Sequence, residues 1–145
     1  MDITNCIKSI TSTWFGHPGT TDQVLASIEA QTNLSLPGDF KEFMKWSNGG
    51  EAKFSNVYFS LWEAENIVSL NKDYQIQRYL GENVVGIGSD GGPICFLLDY
   101  RGDEELRFSS VNFGDLDPSE IKIIAPSFSD ALTMAINGTL IDDNL

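Results

Sequence analysis

The sequence has a single histidine, His17, and only two cysteines, Cys6 and Cys95, among its 145 residues. A histidine-dependent catalytic site needs a nucleophile and an orienting partner, and His17 stands between Gly16 and Pro18 with no nucleophile elbow elsewhere. The cysteines form no Cys-x-x-Cys pair, so they do not make a structural zinc site with one histidine. We therefore expect a protein that is not an enzyme and that holds no metal or other cofactor.

Basic residues are also scarce, because nine Lys and Arg face 21 Asp and Glu, which gives a net charge of −12. Contacts to phosphate need Lys and Arg, so this balance argues against binding nucleic acid or an anionic membrane. The longest apolar run is far shorter than the about 20 residues that span a bilayer, and no basic-then-apolar leader opens the sequence. We expect a cytoplasmic protein whose acidity serves either solubility or the attraction of a basic partner.

One short segment carries a complete helix signal. Pro37 suits the first helical position, where its missing N–H would have no partner. Phe40 and Phe43 then begin an apolar stripe with helical spacing. Gly49 and Gly50 follow, and glycine adopts a left-handed helix cap at little cost. The segment predicts a packing element rather than a site of chemistry.

Periodicity along the rest of the chain predicts helices, then strands, then a closing helix. Helices are expected from Ile3, from Thr20 as an N-cap, over Leu36–Ser47 and over Glu63–Tyr79. Strands are expected near 53–61 and over Asn83–Ile87, Ile94–Tyr100, Leu106–Phe113 and Ile121–Ala125, before a helix from Phe128 that is capped at Gly138. Within the predicted helices and strands, Ile67, Leu70 and Tyr74 should mark a buried helix face, and Leu106–Phe113 should have one solvated face. This order predicts one α+β domain over residues 1–145, with N-terminal helices, an antiparallel meander, and a C-terminal amphipathic helix packed on the sheet.

The segment from Gly86 to Gly91 matches the spaced glycines of dinucleotide-binding loops. That mechanism requires the last glycine to open a helix whose N-terminus receives the pyrophosphate. Here Pro93 leads into the apolar run Ile94–Leu98, which is typical of a strand. The glycines therefore predict a hairpin turn, with Gly91 at positive φ.

Several segments occur in the order found in one known family. The Leu-Pro and Phe-x-x-Phe helix precedes Asn-Gly-Gly, Leu61-Trp62 follows, Ile87–Gly92 leads into Phe96–Asp99, and Ile124–Phe128 comes near the end. From about Ile28 to Ile136 the chain resembles the SUKH superfamily, which includes the yeast Smi/Knr cell-wall regulators and many bacterial immunity proteins. Pro126 stands where the family usually has an acidic residue, which should alter only the local entry into the helix. The motif residues, to which we assign structural roles, are Pro37, Phe40, Phe43, Gly49, Gly50, Gly88, Asp90, Gly91, Asp99, Ser127 and Phe128.

The resemblance implies a non-enzymatic protein-binding module, namely an immunity protein that neutralises a cognate polymorphic toxin, often a nuclease. The alternative that it implies is a regulatory adaptor in cell-wall glucan synthesis or signalling. A nuclease must attract phosphate, so its working surface tends to be basic and an acidic protein can compete for it.

Two acidic clusters and two aromatic residues are the candidates for contact with such a partner. Charges at the rim of an interface steer association, whereas Trp and Tyr often dominate its binding energy. Each cluster also fits a solvated turn, the second cluster lacks the spacing of a calcium loop, and each aromatic residue also fits a core position. The candidates are Asp103, Glu104, Glu105, Asp115, Asp117, Glu120, Trp62 and Tyr58.

Overall fold

The computed structural model describes residues 1–102 and 106–145. The chain begins with α1 (Ile3–Ile10), β1 (Phe15–Gly16), α2 (Asp22–Thr32) and α3 (Gly38–Trp46). It continues through β2 (Gly50–Lys53), β3 (Tyr58–Leu61), α4 (Ala64–Asp73) and α5 (Ile76–Leu80). The last part contains β4 (Val84–Ser89), β5 (Ile94–Asp99), β6 (Arg107–Asn112), β7 (Lys122–Ala125) and α6 (Phe128–Asn137), with 3₁₀ turns at Pro118–Glu120 and Asp142–Asn144.

The strands form a seven-stranded sheet in which each strand pairs antiparallel with the next one along the chain. Helix α6 packs against α1, α3 and the strands β6 and β7. The predicted α+β class, with N-terminal helices, an antiparallel meander and a C-terminal helix on the sheet, is confirmed.

The main core lies between one face of this sheet and the helices α1, α2, α3, α4 and α6. Phe40 and Phe43 of α3 meet Phe128 of α6 edge to face, with ring centroids 5.3 and 5.5 Å apart. Phe96 and Phe108 contribute from β5 and β6, and all five rings are fully buried. The stripe predicted on α3 therefore packs inward, because helical spacing places its apolar residues on one side.

The second face of the sheet is covered over only part of its width. A smaller core of Cys95, Leu97 and Val111 packs under α5 and under residues 113–121, which we call the covering segment. The pairing register places Phe15, Glu51, Ser60, Ser89, Cys95 and Val111 in one row across the sheet. Side chains in such a row share a face, yet Phe15 is 77% exposed whereas Cys95 is fully buried. The half of this face formed by β1–β3 is therefore open.

Two helix boundaries differ from the prediction at the N-terminal side. The N-cap of α2 is Thr21 and not Thr20. The Thr20 N–H donates to the Met44 carbonyl, and the Thr20 hydroxyl does not cap the helix. The Thr21 hydroxyl accepts from the Val24 N–H instead. Pro37 is the N-cap of α3 rather than its first residue, since its ψ of 149° is extended.

The end of α3 is also built differently from the predicted glycine cap. Ser47 ends the helix in an extended conformation, and its hydroxyl accepts from the Trp14 indole N–H and donates to the Gly49 carbonyl. Gly49, with φ of 72°, lies in the turn that leads into β2, and Gly50, with φ of 122°, is the first residue of that strand. A side chain on Gly50 would meet the Trp14 indole 2.4 Å away, so the close approach requires glycine there.

The predicted strand near 53–61 is a hairpin, with β2 and β3 joined by a turn in which the Phe54 N–H donates to the Val57 carbonyl. The predicted helix over Glu63–Tyr79 is divided into α4 and α5 at Gln75, whose φ is +57°. This break leaves Tyr74 43% exposed, so its predicted burial was wrong.

The prediction that Leu106–Phe113 has one solvated face was also wrong. Four consecutive residues of β6, from Phe108 to Val111, are buried because helices cover one face and the covering segment lies over the other. The predicted hairpin of β4 and β5 is confirmed, and Gly91 in its turn has φ of +83°. Strand β5 follows the glycines where a nucleotide loop would need a helix.

Candidate partner-binding surface

A groove opens where the uncovered half of the sheet's second face meets α4. Its volume is about 540 Å³, and its walls come from β1, β2, β3 and the first turns of α4. Its lining residues include Phe15, His17, Glu51, Ser60, Trp62 and Glu63.

An aromatic row runs from this groove towards the covering segment. Trp62 stacks on Tyr74 with centroids 6.0 Å apart, and Tyr74 stacks on Phe113 at 4.4 Å. Trp62 and Phe113 are half-buried, whereas Tyr74 faces solvent. We call Trp62, Tyr74 and Phe113 the aromatic row, and it presents flat apolar area on the surface of the molecule.

The second aromatic candidate, Tyr58, lies on the same side of the molecule but is held by its neighbours. Its hydroxyl donates to Glu51 Oε2, and this bond raises the pKa of Tyr58. Its ring lies against the turn at Gly91. Tyr58 is half-buried. It orients the Glu51 carboxylate and so supports the wall of the groove.

The charges in the groove are carboxylates. Glu51 and Glu63 are both exposed, and Glu63 Oε1 lies 4.0 Å from His17 Nε2. Neither Lys nor Arg is among the described residues that line the groove. The groove therefore combines aromatic side chains with carboxylates, and no Lys or Arg of its described lining offsets their charge.

The second predicted acidic cluster lies in the covering segment. Asp115, Asp117 and Glu120 are exposed, and Asp117 accepts from the Ser119 N–H and hydroxyl, which lowers the pKa of Asp117. Asp117 thus caps the 3₁₀ turn. The first predicted cluster, Asp103, Glu104 and Glu105, lies outside the described residues. Among the residues described, no group of His, Cys, Asp and Glu is placed to hold a metal ion.

Asp99 holds the covering segment in place through Arg101. Its side chain is fully buried, accepts from Arg101 Nε at 2.9 Å and Nη2 at 3.1 Å, and accepts from the Ser109 hydroxyl at 2.9 Å. Arg101 Nη1 in turn donates to the Pro118 carbonyl at 3.2 Å. Burial acts to raise the pKa of Asp99, but the hydrogen bonds from Arg101 and Ser109 outweigh it and hold that pKa below its usual range.

The remaining motif residues shape turns and close contacts in the structure. Asp90 accepts from the backbone N–H groups of Gly92 and Ile94 and so shapes the hairpin turn. A side chain at Gly88 would lie 2.1 Å from the Ser60 carbonyl, so glycine lets β3 approach β4. Ser127 caps α6 by accepting from the Asp130 N–H at 3.0 Å.

Sequence reasoning missed Phe15, Glu51 and Glu63 of the groove, and Tyr74 and Phe113 of the aromatic row. The available signal for Phe15 was its place directly before Gly16-His17-Pro18-Gly19. This segment ends a helix, so Phe15 cannot be buried as part of a helix face. Nothing in the local pattern distinguished Tyr74 from a core residue, because its exposure follows from the break at Gln75.

The sequence model of the SMI1 / KNR4 family (SUKH-1) matches residues 19–134, which is most of the chain. A comparison with curated proteins finds no match. Of the helices in the described part of the chain, none is both long and apolar enough to cross a membrane.

Proposed function

The chain belongs to the SMI1/KNR4 family (SUKH-1), and on that premise we propose that it is an immunity protein that neutralises a cognate polymorphic toxin by binding it. Proteins of this family are often immunity proteins and are generally not catalytic. In this proposal the chain acts inside the cell that makes the toxin, without a cofactor, and its partner is a basic toxin domain such as a nuclease.

The observation that carries the proposal is the exposed aromatic surface between the groove and the covering segment. Protein interfaces are enriched in Trp, Tyr and Phe at their centres and have polar rims. The aromatic row fits such a centre, and the carboxylates of Glu51, Asp115 and Glu120 fit such a rim. A surface of this composition suits a protein partner better than a small substrate.

The net charge of −12 supports a basic partner. A nuclease that binds phosphate needs a positive working surface, and an acidic protein is drawn to that surface by the same field. Covering it excludes the substrate without any chemistry on the part of the immunity protein.

The proposal is tested by affinity purification of the full chain from its native cells, followed by an activity assay of the recovered partner. We expect a basic toxin domain that loses its activity when the purified chain is added in equimolar amount. Recovery of wall-synthesis proteins instead would favour the regulatory adaptor. A toxin that binds but stays active, or catalysis by the purified chain that a point substitution abolishes, would contradict the proposal.

A further inference from the structure

We propose that the groove between β1–β3 and α4 receives an arginine side chain from a basic segment of the partner, flanked by Phe15 and Trp62 and paired with Glu51 and Glu63. This inference rests on the proposed function for the source of the segment, but the groove itself can be tested without the toxin.

Two aromatic residues, Phe15 and Trp62, line the groove. Phe15 belongs to the edge strand β1 and lies directly opposite Glu51 of β2, and Trp62 directly follows β3. Both line the groove, and Phe15 is 77% exposed. Most of the Phe15 ring therefore lacks the packing that stabilises the buried Phe side chains. The exposed ring offers contact area to a ligand.

The groove also carries two carboxylates, those of Glu51 and Glu63. Among the described residues, Glu51 is hydrogen-bonded by the Tyr58 hydroxyl alone, and Glu63 lies 4.0 Å from the His17 imidazole. No Lys or Arg of the described residues forms an ion pair with either carboxylate. The Tyr58 bond fixes one oxygen of Glu51, which leaves Oε1 without a hydrogen-bond donor among the described residues. Two exposed carboxylates in a groove that also holds Phe15 and Trp62 favour a cationic ligand.

Arginine from a protein is the cation that best fits these groove residues. A guanidinium is planar, stacks on aromatic rings and donates two parallel hydrogen bonds to a carboxylate. Groove walls of Phe and Trp with carboxylates therefore suit arginine better than the more strongly hydrated lysine ammonium. A second copy of this chain is a poor occupant, because it would bring another net charge of −12.

The probe is the amidated peptide Gly-Arg-Gly-Arg-Gly, compared with the same peptide in which citrulline replaces arginine. Citrulline keeps the shape of the side chain and removes its charge. Binding is followed by two-dimensional ¹H–¹⁵N NMR of the full chain. We expect saturable shifts at Phe15, Glu51, Glu63 and the Trp62 indole N–H with the arginine peptide only.

Two double variants separate a specific site from general attraction to an acidic protein. The E51Q/E63Q variant removes both groove carboxylates and should weaken peptide binding about five-fold, since each exposed pair contributes about 0.5 kcal/mol. The E42Q/D143N variant removes the same charge at exposed positions outside the groove and should bind as the original chain does.

Equal weakening in both variants, equal binding of the citrulline peptide, or shifts confined to residues 113–121 would each overturn the inference. These outcomes differ from failure of the proposed function, which is read from toxin inhibition by the unmodified chain. If the toxin is inhibited but the groove peptide fails, the partner is held by another surface.

Discussion

At the scale of single residues, Gly91 shows how one turn depends on the absence of a side chain. Its φ of +83° is strained for other residues, and a Cβ there would lie 2.8 Å from the Tyr58 ring. We expect Gly91→Val to lower the free energy of unfolding by about 2 kcal/mol through backbone strain and overpacking. Urea or thermal denaturation measures this change.

The neighbouring Gly92 provides the matched control. A Cβ at this position would meet only Asp90 Oδ1, at an ordinary 3.6 Å. Gly92→Val should therefore cost less than Gly91→Val. Equal melting temperatures for Gly91→Val and the original chain would show that the turn does not need glycine at position 91.

Asp99 is a buried carboxylate that holds Arg101 against the covering segment. We expect Asp99→Asn to destabilise the fold by about 3 kcal/mol at pH 7, because it leaves the Arg101 guanidinium without its buried partner. The pKa of Asp99 is lowered by folding, so its contribution is present above the pKa of about 3.9 of an unfolded Asp and is lost as pH falls through the folded pKa.

The pH dependence of stability separates the effect of the Asp99–Arg101 ion pair from a packing effect. The original chain and Asp99→Asn are compared by urea denaturation between pH 7 and pH 3. The difference in their unfolding free energy should be constant down to about pH 4 and should shrink below it. Asp143→Asn, at an exposed position, is the control and should change little. A difference that stays constant to pH 3 would show that the charge of Asp99 is not what stabilises the fold.

At the scale of elements, Asn71 joins α4 to β4, because its side chain pairs with the backbone of Gly86 in the way that a neighbouring strand would. Its side-chain N–H donates to the Gly86 carbonyl at 2.8 Å, and its Oδ1 accepts from the Gly86 N–H at 2.8 Å. Asn71 is 4% exposed and lies beside the irregular register of β4 at Gly86 and Gly88. The side chain thus satisfies backbone groups that would otherwise be buried without a partner.

We expect Asn71→Ala to lower the free energy of unfolding by about 3 kcal/mol, because both polar groups of Gly86 lose their partner in a buried site. Asn66→Ala, on the exposed side of the same helix, should stay within about 0.5 kcal/mol of the original chain. Chemical denaturation compares the two variants. Equal stability of both would mean that water or a shifted side chain replaces the Asn71 bonds.

At the scale of the whole molecule, the excess of negative charge should set how fast the partner is captured. We expect replacement of Asp115, Asp117 and Glu120 by Ser to slow association mainly at low salt, since exposed charges are screened within about 8 Å at physiological ionic strength. Serine at position 117 can still cap the 3₁₀ turn, so the fold should be kept. Stopped-flow kinetics with the recovered partner over a salt series measures the effect.

A parallel variant with Ser at positions 103, 104 and 105 tests the cluster that only the sequence identifies. Whichever variant slows association at low salt marks the acidic segment that faces the partner, and dissociation should change little in either. Association that is independent of salt, or unchanged in both variants, would mean that these carboxylates are solvated surface.

Local rules were enough to predict the order of the elements and several of their details. The inward stripe of Phe40 and Phe43, the left-handed cap at Gly138 and the positive φ of Gly91 all follow from spacing or from the conformational freedom of glycine. The hairpin at Asp90 also follows, since a turn with strands on both sides is a local pattern. Predictions failed where a distant contact decided a boundary, as at Thr20, whose N–H is engaged by Met44.

The sequence by itself determined the α+β class, the meander and the excess of negative charge, because these depend on composition and on short-range periodicity. Only the tertiary structure decided which face stays open, how Trp62, Tyr74 and Phe113 form one row, and that Phe15 lies opposite Glu51. The physical reason is that sheet register and the cover over a face bring together residues far apart in the chain, and no local pattern specifies those pairs.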